Sequence, residues 1–152
     1  MLPDVVILNV TKIRRYMEKK IALNVNCPEC RASLMDSSFR INNKDSIGLH
    51  IRVKGDKNGS IWLSSIYGDF NYTCDLQIPE SEVANFYCPH CGKLLNRIHV
   101  LCDVCGASIV SFICSVGGRV NICSRNGCRN HYVVFEDIDT AIRKYYDEYG
   151  YA

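Results

Sequence analysis

Apolar and polar residues alternate with a period of two over much of the chain, which is the pattern of β-strands that bury one face. In residues 46–53, Ile47, Leu49, Ile51 and Val53 fall on the same side. Similar stretches cover residues 21–27, 60–66 and 71–78. The turn KGDKNGS follows the stretch 46–53, the turn YGD follows 60–66, and Pro79 follows 71–78. The pattern therefore predicts an antiparallel three-stranded meander over 44–78.

The second half of the chain continues in the same way. Residues 107–116 and 119–124 flank Gly117-Gly118, a strong signal for a β-hairpin, and residues 131–136 form one more short apolar run. Helical spacing is rare: it occurs at 11–20 and more clearly in DIDTAIRKYYDEYGY, where acidic residues at the start suit the helix macrodipole. We therefore expect a C-terminal helix within 136–152.

Composition narrows the class of protein. The chain has 152 residues, of which 47% are apolar and ten are cysteine, so it has enough apolar side chains for a core. The opening apolar run, VVILNV, is too short for a signal peptide, and no apolar run approaches the roughly 20 residues of a membrane span. We expect a cytoplasmic protein (nuclear if the cell is eukaryotic) with no membrane partner, in a reducing compartment where disulfides are rare.

The cysteines carry the clearest chemistry. Three Cys-x-x-Cys pairs stand at 27/30, 88/91 and 102/105, and a looser pair at 123/128. Two intervening residues let one tight turn direct both sulfurs at a single ion, and Gly92 and Gly106 permit a positive φ just after the second cysteine. Soft thiolates suit zinc, with iron the commonest rival. We predict two zinc ions per chain, with iron possible at one site, bound by Cys27, Cys30, Cys88, Cys91, Cys102, Cys105, Cys123 and Cys128.

The segments CPEC, CPHCG and CDVCG resemble the knuckles of zinc ribbons, a fold group that includes the rubredoxin-like proteins. Residues 102–128 resemble one complete ribbon, with a knuckle on each side of a β-hairpin. This resemblance implies a small metal-stabilised β-rich (α+β) protein with two zinc-ribbon-like sites, an inserted three-stranded meander and a C-terminal helix. The expected units are an N-terminal segment (1–26), a ribbon-like unit with the insert (27–95), a second unit (96–135) and the helix (136–152).

The pairing of the knuckles stays open at this level. In one scheme 27/30 joins 88/91, and 102/105 joins 123/128. In the rival scheme 88/91 joins 102/105, which leaves 27/30 to meet 123/128. The first is favoured, because the strand before Cys27 and the hairpin after Cys105 each end in a knuckle.

Other interpretations of the cysteines and histidines are weaker. Structural disulfides conflict with the expected compartment, and a thioredoxin-like redox site at CPHC lacks the strand and helix that would surround it. Cys74 and Cys114 lie on alternating strands and are best interpreted as small buried apolar residues. His131, three residues after Cys128, is a weaker candidate ligand.

Function is less determined than metal binding. A closed four-cysteine site has no open position for substrate, and no catalytic constellation is evident, so we expect a non-enzymatic protein without a small-molecule substrate. The leading hypothesis is a protein-interaction module, an accessory subunit or adaptor of a larger assembly. The alternatives are nucleic-acid binding and rubredoxin-like electron transfer. Residues 86–132 carry a formal charge of +4, but eight thiolates and two divalent ions would change the net charge of the chain from +2 to −2, which weakens the case for nucleic acid.

Overall fold

The computed structural model describes residues 6–9, 22–115 and 117–135. That part of the chain contains eleven β-strands and no helix. The strands are β1 (Val6–Asn9), β2 (Val25–Asn26), β3 (Met35–Ile41), β4 (Lys44–Val53), β5 (Lys57–Leu63), β6 (Tyr72–Cys74), β7 (Asn85–Tyr87), β8 (Asn96–Leu101), β9 (Ser108–Cys114), β10 (Gly118–Cys123) and β11 (His131–Phe135). Among the described residues we find no helix with the length and apolar character that a bilayer crossing requires.

Six strands form the first sheet, in the order β1-β11-β10-β9-β2, and β8 also pairs with β9. Every pairing is antiparallel. The predicted hairpin at Gly117-Gly118 is confirmed as β9–β10, where Phe112 faces Val120 and Gly117 has a φ of 91°. β2 and β8 share one side of β9: β2 pairs near Cys114, and β8 pairs near Ile109.

The second sheet has five strands, in the order β3-β4-β5-β6, with β7 also paired to β4. The pairing of β4 with β5 runs without interruption from Ile47–Leu63 to Val53–Lys57. On the other side of β4, β3 pairs near Ile47 and β7 pairs near Ile51. This sheet contains the three strands predicted for 44–78.

The predicted fold class is nevertheless wrong in two respects. The α+β class is not found, because the described residues form two antiparallel sheets without a helix. The insert is a five-stranded sheet rather than a three-stranded meander, since β3 and β7 complete it. Alternation of apolar and polar residues predicts neither strand. β3 (MDSSFRI) is mostly polar and has no fully buried residue, and β7 has only three residues. The helix predicted for 136–152 lies outside the described residues, as does the segment 11–20.

The two sheets share one apolar core. The alternation along β4 holds, because Ile47, Leu49, Ile51 and Val53 are all buried. They belong to one cluster that also contains Phe86 from β7 and, from the first sheet, Phe112 and Val120. Burying each side chain of this size contributes about 1.5–3 kcal/mol. The core therefore joins the two sheets.

Each cysteine pair lies at the end of a strand. The first pair comes directly after β2, and the second directly after β7. The third pair occupies the turn between β8 and β9, and the fourth begins at the end of β10. Because β7 returns to β4 inside the second sheet, the chain leaves the insert at Tyr87 beside the point where it entered.

Candidate metal centres

The described residues contain two clusters of four cysteines that could hold a metal ion. One consists of Cys27, Cys30, Cys88 and Cys91, and the other of Cys102, Cys105, Cys123 and Cys128. Within each cluster the sulfur atoms all lie within 4.8 Å of one another, and none of these cysteines forms a disulfide. Of the two pairings open at the sequence level, the structure brings together the cysteines of the first.

The first cluster has the spacing of a tetrahedral thiolate site. The Sγ atoms of Cys27 and Cys91 are 3.8 Å apart, and those of Cys30 and Cys88 are 3.7 Å apart. Four sulfurs placed 2.3 Å from a central zinc form a tetrahedron with edges of about 3.8 Å. Cys27 and Cys88 are fully buried, whereas Cys30 and Cys91 lie near the surface. The residues present therefore fit a four-coordinate ion in size, number and type of ligand.

The two knuckles of this cluster have the same backbone geometry. In the first, Arg31 N donates to Cys27 O at 3.0 Å, and Cys27 N donates to Ala32 O at 2.9 Å. In the second, Gly92 N donates to Cys88 O at 2.9 Å. The amides of Glu29 and His90 each donate to the first sulfur of their knuckle at 3.3 Å. These amides would stabilise negative charge on Cys27 and Cys88.

The position after the second cysteine adopts a positive φ in three knuckles. The prediction for Gly92 and Gly106 is confirmed, with φ values of 73° and 83°. The equivalent residue of the first knuckle is Arg31, which has a φ of 65° although it carries a side chain. The turn thus imposes a left-handed backbone on whichever residue stands there.

The second cluster is held in a similar way. The Sγ atoms of Cys102 and Cys128 are 3.8 Å apart, and those of Cys105 and Cys123 are 3.3 Å apart. Gly106 N donates to Cys102 O at 2.8 Å, and Val104 N donates to the Cys102 sulfur at 3.4 Å. The cluster has a small apolar support in Ala107 and Ile109.

The wider spacing of Cys123 and Cys128 is accommodated by a longer turn. Arg125 N donates to the Cys123 sulfur at 3.4 Å, as the corresponding amide does in the other knuckles. Cys128 N then donates to Arg125 O at 3.1 Å, and Gly127 has a φ of 95°. The four-residue gap therefore still presents both sulfurs on one side.

Asn130 contacts the second cluster through its side chain, and the sequence does not predict this contact. Its Nδ2 donates to the Cys102 sulfur at 3.3 Å and to Asp103 Oδ1 at 2.9 Å. It sits two residues after Cys128 in a polar run, CRNH, with nothing in the sequence to separate it from other asparagines. A side-chain amide that donates to a thiolate orients it and stabilises its charge.

The surroundings of the thiols affect how easily each of them ionises. A hydrogen bond from the Ala107 amide, opposed by burial and assisted by the Arg125 side chain, lowers the pKa of Cys105 to about 6. Burial raises the pKa of Cys88 to about 12, and burial also raises the pKa of Cys123 well above its usual value. Four thiolates this close repel one another, so all four ionise together only around a cation.

The remaining candidates lie outside both clusters. Cys74 is on β6, and Cys114 is buried on β9. Neither cluster of the described residues includes His131, whose ring points between the sheets and packs on Tyr67 with their centroids 4.6 Å apart.

Comparison with protein-family models, with curated proteins and with solved structures yields no match for this chain. The geometry of the two clusters is therefore the main evidence about what the protein binds. It supports a metal-binding protein with two four-cysteine sites of zinc-ribbon type.

Proposed function

We propose that the chain is a non-enzymatic zinc-binding protein-interaction module, an accessory subunit or adaptor of a larger assembly. Four thiolates around one zinc leave no coordination position for water or substrate, so the two ions would act in folding. Each would fix the ends of short strands that bury too little surface to hold themselves. A tetrahedral set of four thiolates suits both zinc and iron, and we choose zinc because the proposed role is structural and needs no change of oxidation state.

An exposed apolar ridge carries the proposal of a protein partner. We call Ile98, Leu101 and Val104 the β8 ridge; they are 66%, 61% and 73% exposed. The three residues lie within one short stretch of chain, 98–104, and several large apolar side chains exposed in one stretch are more typical of an interaction site than of scattered surface positions. By contrast, the neighbouring Leu95 is buried.

The kind of partner follows from the strand that bears the ridge. β8 pairs with β9 on one side, with a break in register between Arg97 and Leu101. From Ile98 onward no described strand pairs with the other side of β8. A free strand edge can accept an extended segment of another protein through backbone hydrogen bonds. Arg97 is exposed on β8 and Asp103 is exposed between Leu101 and Val104, so an extended segment with apolar residues and charges of both signs would match this edge.

A photo-crosslinking amino acid at Leu101 tests this proposal in the native host, with the same group at exposed Asn58 on the second sheet as the control. We expect a discrete protein adduct from position 101 that is lost when Ile98 is replaced by glutamate, and no such adduct from position 58. With the captured protein purified, the amides of residues 98–101 should become protected from hydrogen exchange. Equal crosslinking from both positions, or unchanged exchange, would remove the β8 ridge as an interface.

Nucleic-acid binding is the second candidate, and the outer face of the second sheet favours it. Trp62 stacks on Phe39 with ring centroids 4.4 Å apart, and the Arg52 guanidinium lies 5.8 Å from the centre of the Tyr87 ring. Partly exposed aromatic rings beside a cation are a platform on which unpaired bases stack.

Because Trp62 is the only tryptophan of the chain, its fluorescence reports on this face directly. Quenching by a mixed-sequence single-stranded RNA, with an affinity that falls steeply as salt rises, would support this second function. Absence of quenching at low salt would leave the protein-interaction proposal alone.

A further inference from the structure

A cavity of about 590 Å³ lies between the two sheets. Its inner wall is apolar and comes from both sheets, with Ile47 and Phe86 from the second and Phe112 and Val120 from the first. Its outer rim is formed by residues 69–72 and 124–131. The volume falls within the usual range of small-molecule sites, about 300–1,000 Å³.

The cavity contains a buried histidine without a hydrogen-bond partner. His131 on β11 is 8% exposed, and neither Nδ1 nor Nε2 has a partner. Its ring packs on Tyr67 and meets the edge of Phe70, with ring centroids 4.6 Å and 5.6 Å apart. Buried polar atoms in proteins are nearly always hydrogen-bonded, so two unpaired nitrogens in one ring that lines a cavity point to a missing partner.

Burial also fixes the chemical character of this ring. It lowers the pKa of His131 to about 4, so the imidazole is neutral near pH 7. A neutral imidazole offers one N–H donor and one nitrogen acceptor. A hydroxyl group or an amide can pair with either nitrogen, as acceptor from the N–H or as donor to the other nitrogen, whereas an ion would have to lose its hydration without a counter-charge from this ring.

The charged side chains of the rim are engaged with other groups. Asp69 accepts hydrogen bonds from Ser64 and Asn71, and Arg125 donates to Ser81 O at 3.0 Å. Arg129 lies over the Phe70 ring, 5.2 Å from its centre. Glu80 also lines the cavity, so its four charged side chains, two acidic and two basic, carry no net charge that would select an ionic ligand.

We propose that this cavity binds a small uncharged ring compound that carries a hydroxyl or amide group, with the ring against the aromatic and aliphatic walls and the polar group bonded to His131. Aromatic surroundings favour a flat ring through stacked and edge-to-face contacts. Cys123 and Cys128 of the second cluster also line this cavity, whereas no residue of the β8 ridge does. The site therefore does not rest on the protein-interaction function proposed above.

Phenol is the probe that tests the site, with benzene as its counterpart lacking the hydroxyl. Titrated into the zinc-loaded full chain, phenol should shift the ring ¹⁵N resonances of His131 saturably. His131→Phe keeps an aromatic ring but removes both nitrogens, so it should weaken phenol binding about tenfold while benzene binding stays constant. His50→Phe, on the outer face of the second sheet, is the matched control and should bind phenol like the wild type.

Three results would overturn the proposal: no saturable shift at His131, equal affinities for phenol and benzene, or unchanged phenol affinity in His131→Phe. If the His131 ring receives magnetisation from water and this transfer is unchanged when phenol is added, the cavity holds water and not phenol. The wild-type titration decides the question even if the His131→Phe protein does not fold.

Discussion

The Sγ atoms of Cys27 and Cys91 lie 3.8 Å apart although the two cysteines are 64 residues apart in the chain. The whole second sheet, β3 to β7, occupies that interval. A metal ion at this cluster would therefore join the entry and exit of the sheet and remove the closure entropy of a long loop. Metal binding and formation of the second sheet should be one cooperative event.

Replacing a cysteine of either cluster should lower metal content and stability far more than replacing Cys74 or Cys114. Cys88→Ser removes a buried ligand, so we expect the zinc content to fall from two ions to one and the free energy of unfolding to fall by at least about 3 kcal/mol. Cys74→Ser, on β6 and outside the clusters, is the control and should keep both ions with a loss of about 1 kcal/mol. Elemental analysis and urea unfolding measure both. Two ions retained in Cys88→Ser would contradict the assignment.

Asn130 should tune the second cluster without being a ligand. Its amide donates to Cys102, so Asn130→Ala should weaken metal binding at that cluster by about 10- to 100-fold. Asn130→Asp should weaken it further, because a carboxylate would repel the thiolates. Competition with a coloured chelator resolves the two sites, and the first cluster serves as the internal control. Equal weakening of both clusters would indicate general destabilisation instead.

Arg31 occupies a backbone conformation that suits glycine. Its φ of 65° matches that of Gly92 in the equivalent position. Arg31→Gly should therefore raise the free energy of unfolding by about 0.5–1 kcal/mol, since relief of backbone strain exceeds the entropic cost of glycine.

The matched reverse change is Gly92→Ala, where an added Cβ meets no atom within 4 Å. Any loss there reflects the backbone alone, and we expect about 1 kcal/mol. Thermal unfolding of the zinc-loaded proteins measures both changes. A destabilised Arg31→Gly would show that the arginine side chain makes a contact worth more than the strain.

His131 should make the fold sensitive to acid. Its pKa is about 4 when folded, against 6.5 for an ordinary histidine, because burial disfavours the charged ring. Below pH 6.5 the unfolded chain takes up a proton that the folded chain refuses, so unfolding becomes easier as the pH falls. The free energy of unfolding should drop by about 3 kcal/mol between pH 6.5 and pH 4 from this residue.

Acid also protonates cysteine thiolates, so the test is a difference between variants. Urea unfolding of the wild type and of His131→Phe across this pH range should give curves whose separation changes by that amount. His99→Phe, at an exposed position of β8, controls for loss of a histidine as such. If the two curves of unfolding free energy against pH stay parallel, the pKa of His131 is the same in the folded and unfolded chains, and the prediction is wrong.

Local features of this protein follow from its sequence. The period-two pattern places Ile47, Leu49, Ile51 and Val53 on a buried face because alternate side chains of a strand point the same way. Gly117-Gly118 marks a hairpin, and the glycine after a Cys-x-x-Cys pair marks a positive φ. These features depend on neighbours within a few residues, which is the range over which backbone sterics act.

Long-range features were decided by the tertiary structure. Which knuckles meet depends on where the strands between them end, and Cys88 reaches Cys30 because β7 returns to β4. The polar strand β3 forms because β4 offers it an edge, and Asn130 reaches Cys102 only once the second cluster is assembled. The sequence determined what the cysteines can bind and the local turns that present them. Only packing of the two sheets decided which sulfurs meet and that the His131 ring is buried against Tyr67. Those contacts are made by residues far apart in the chain.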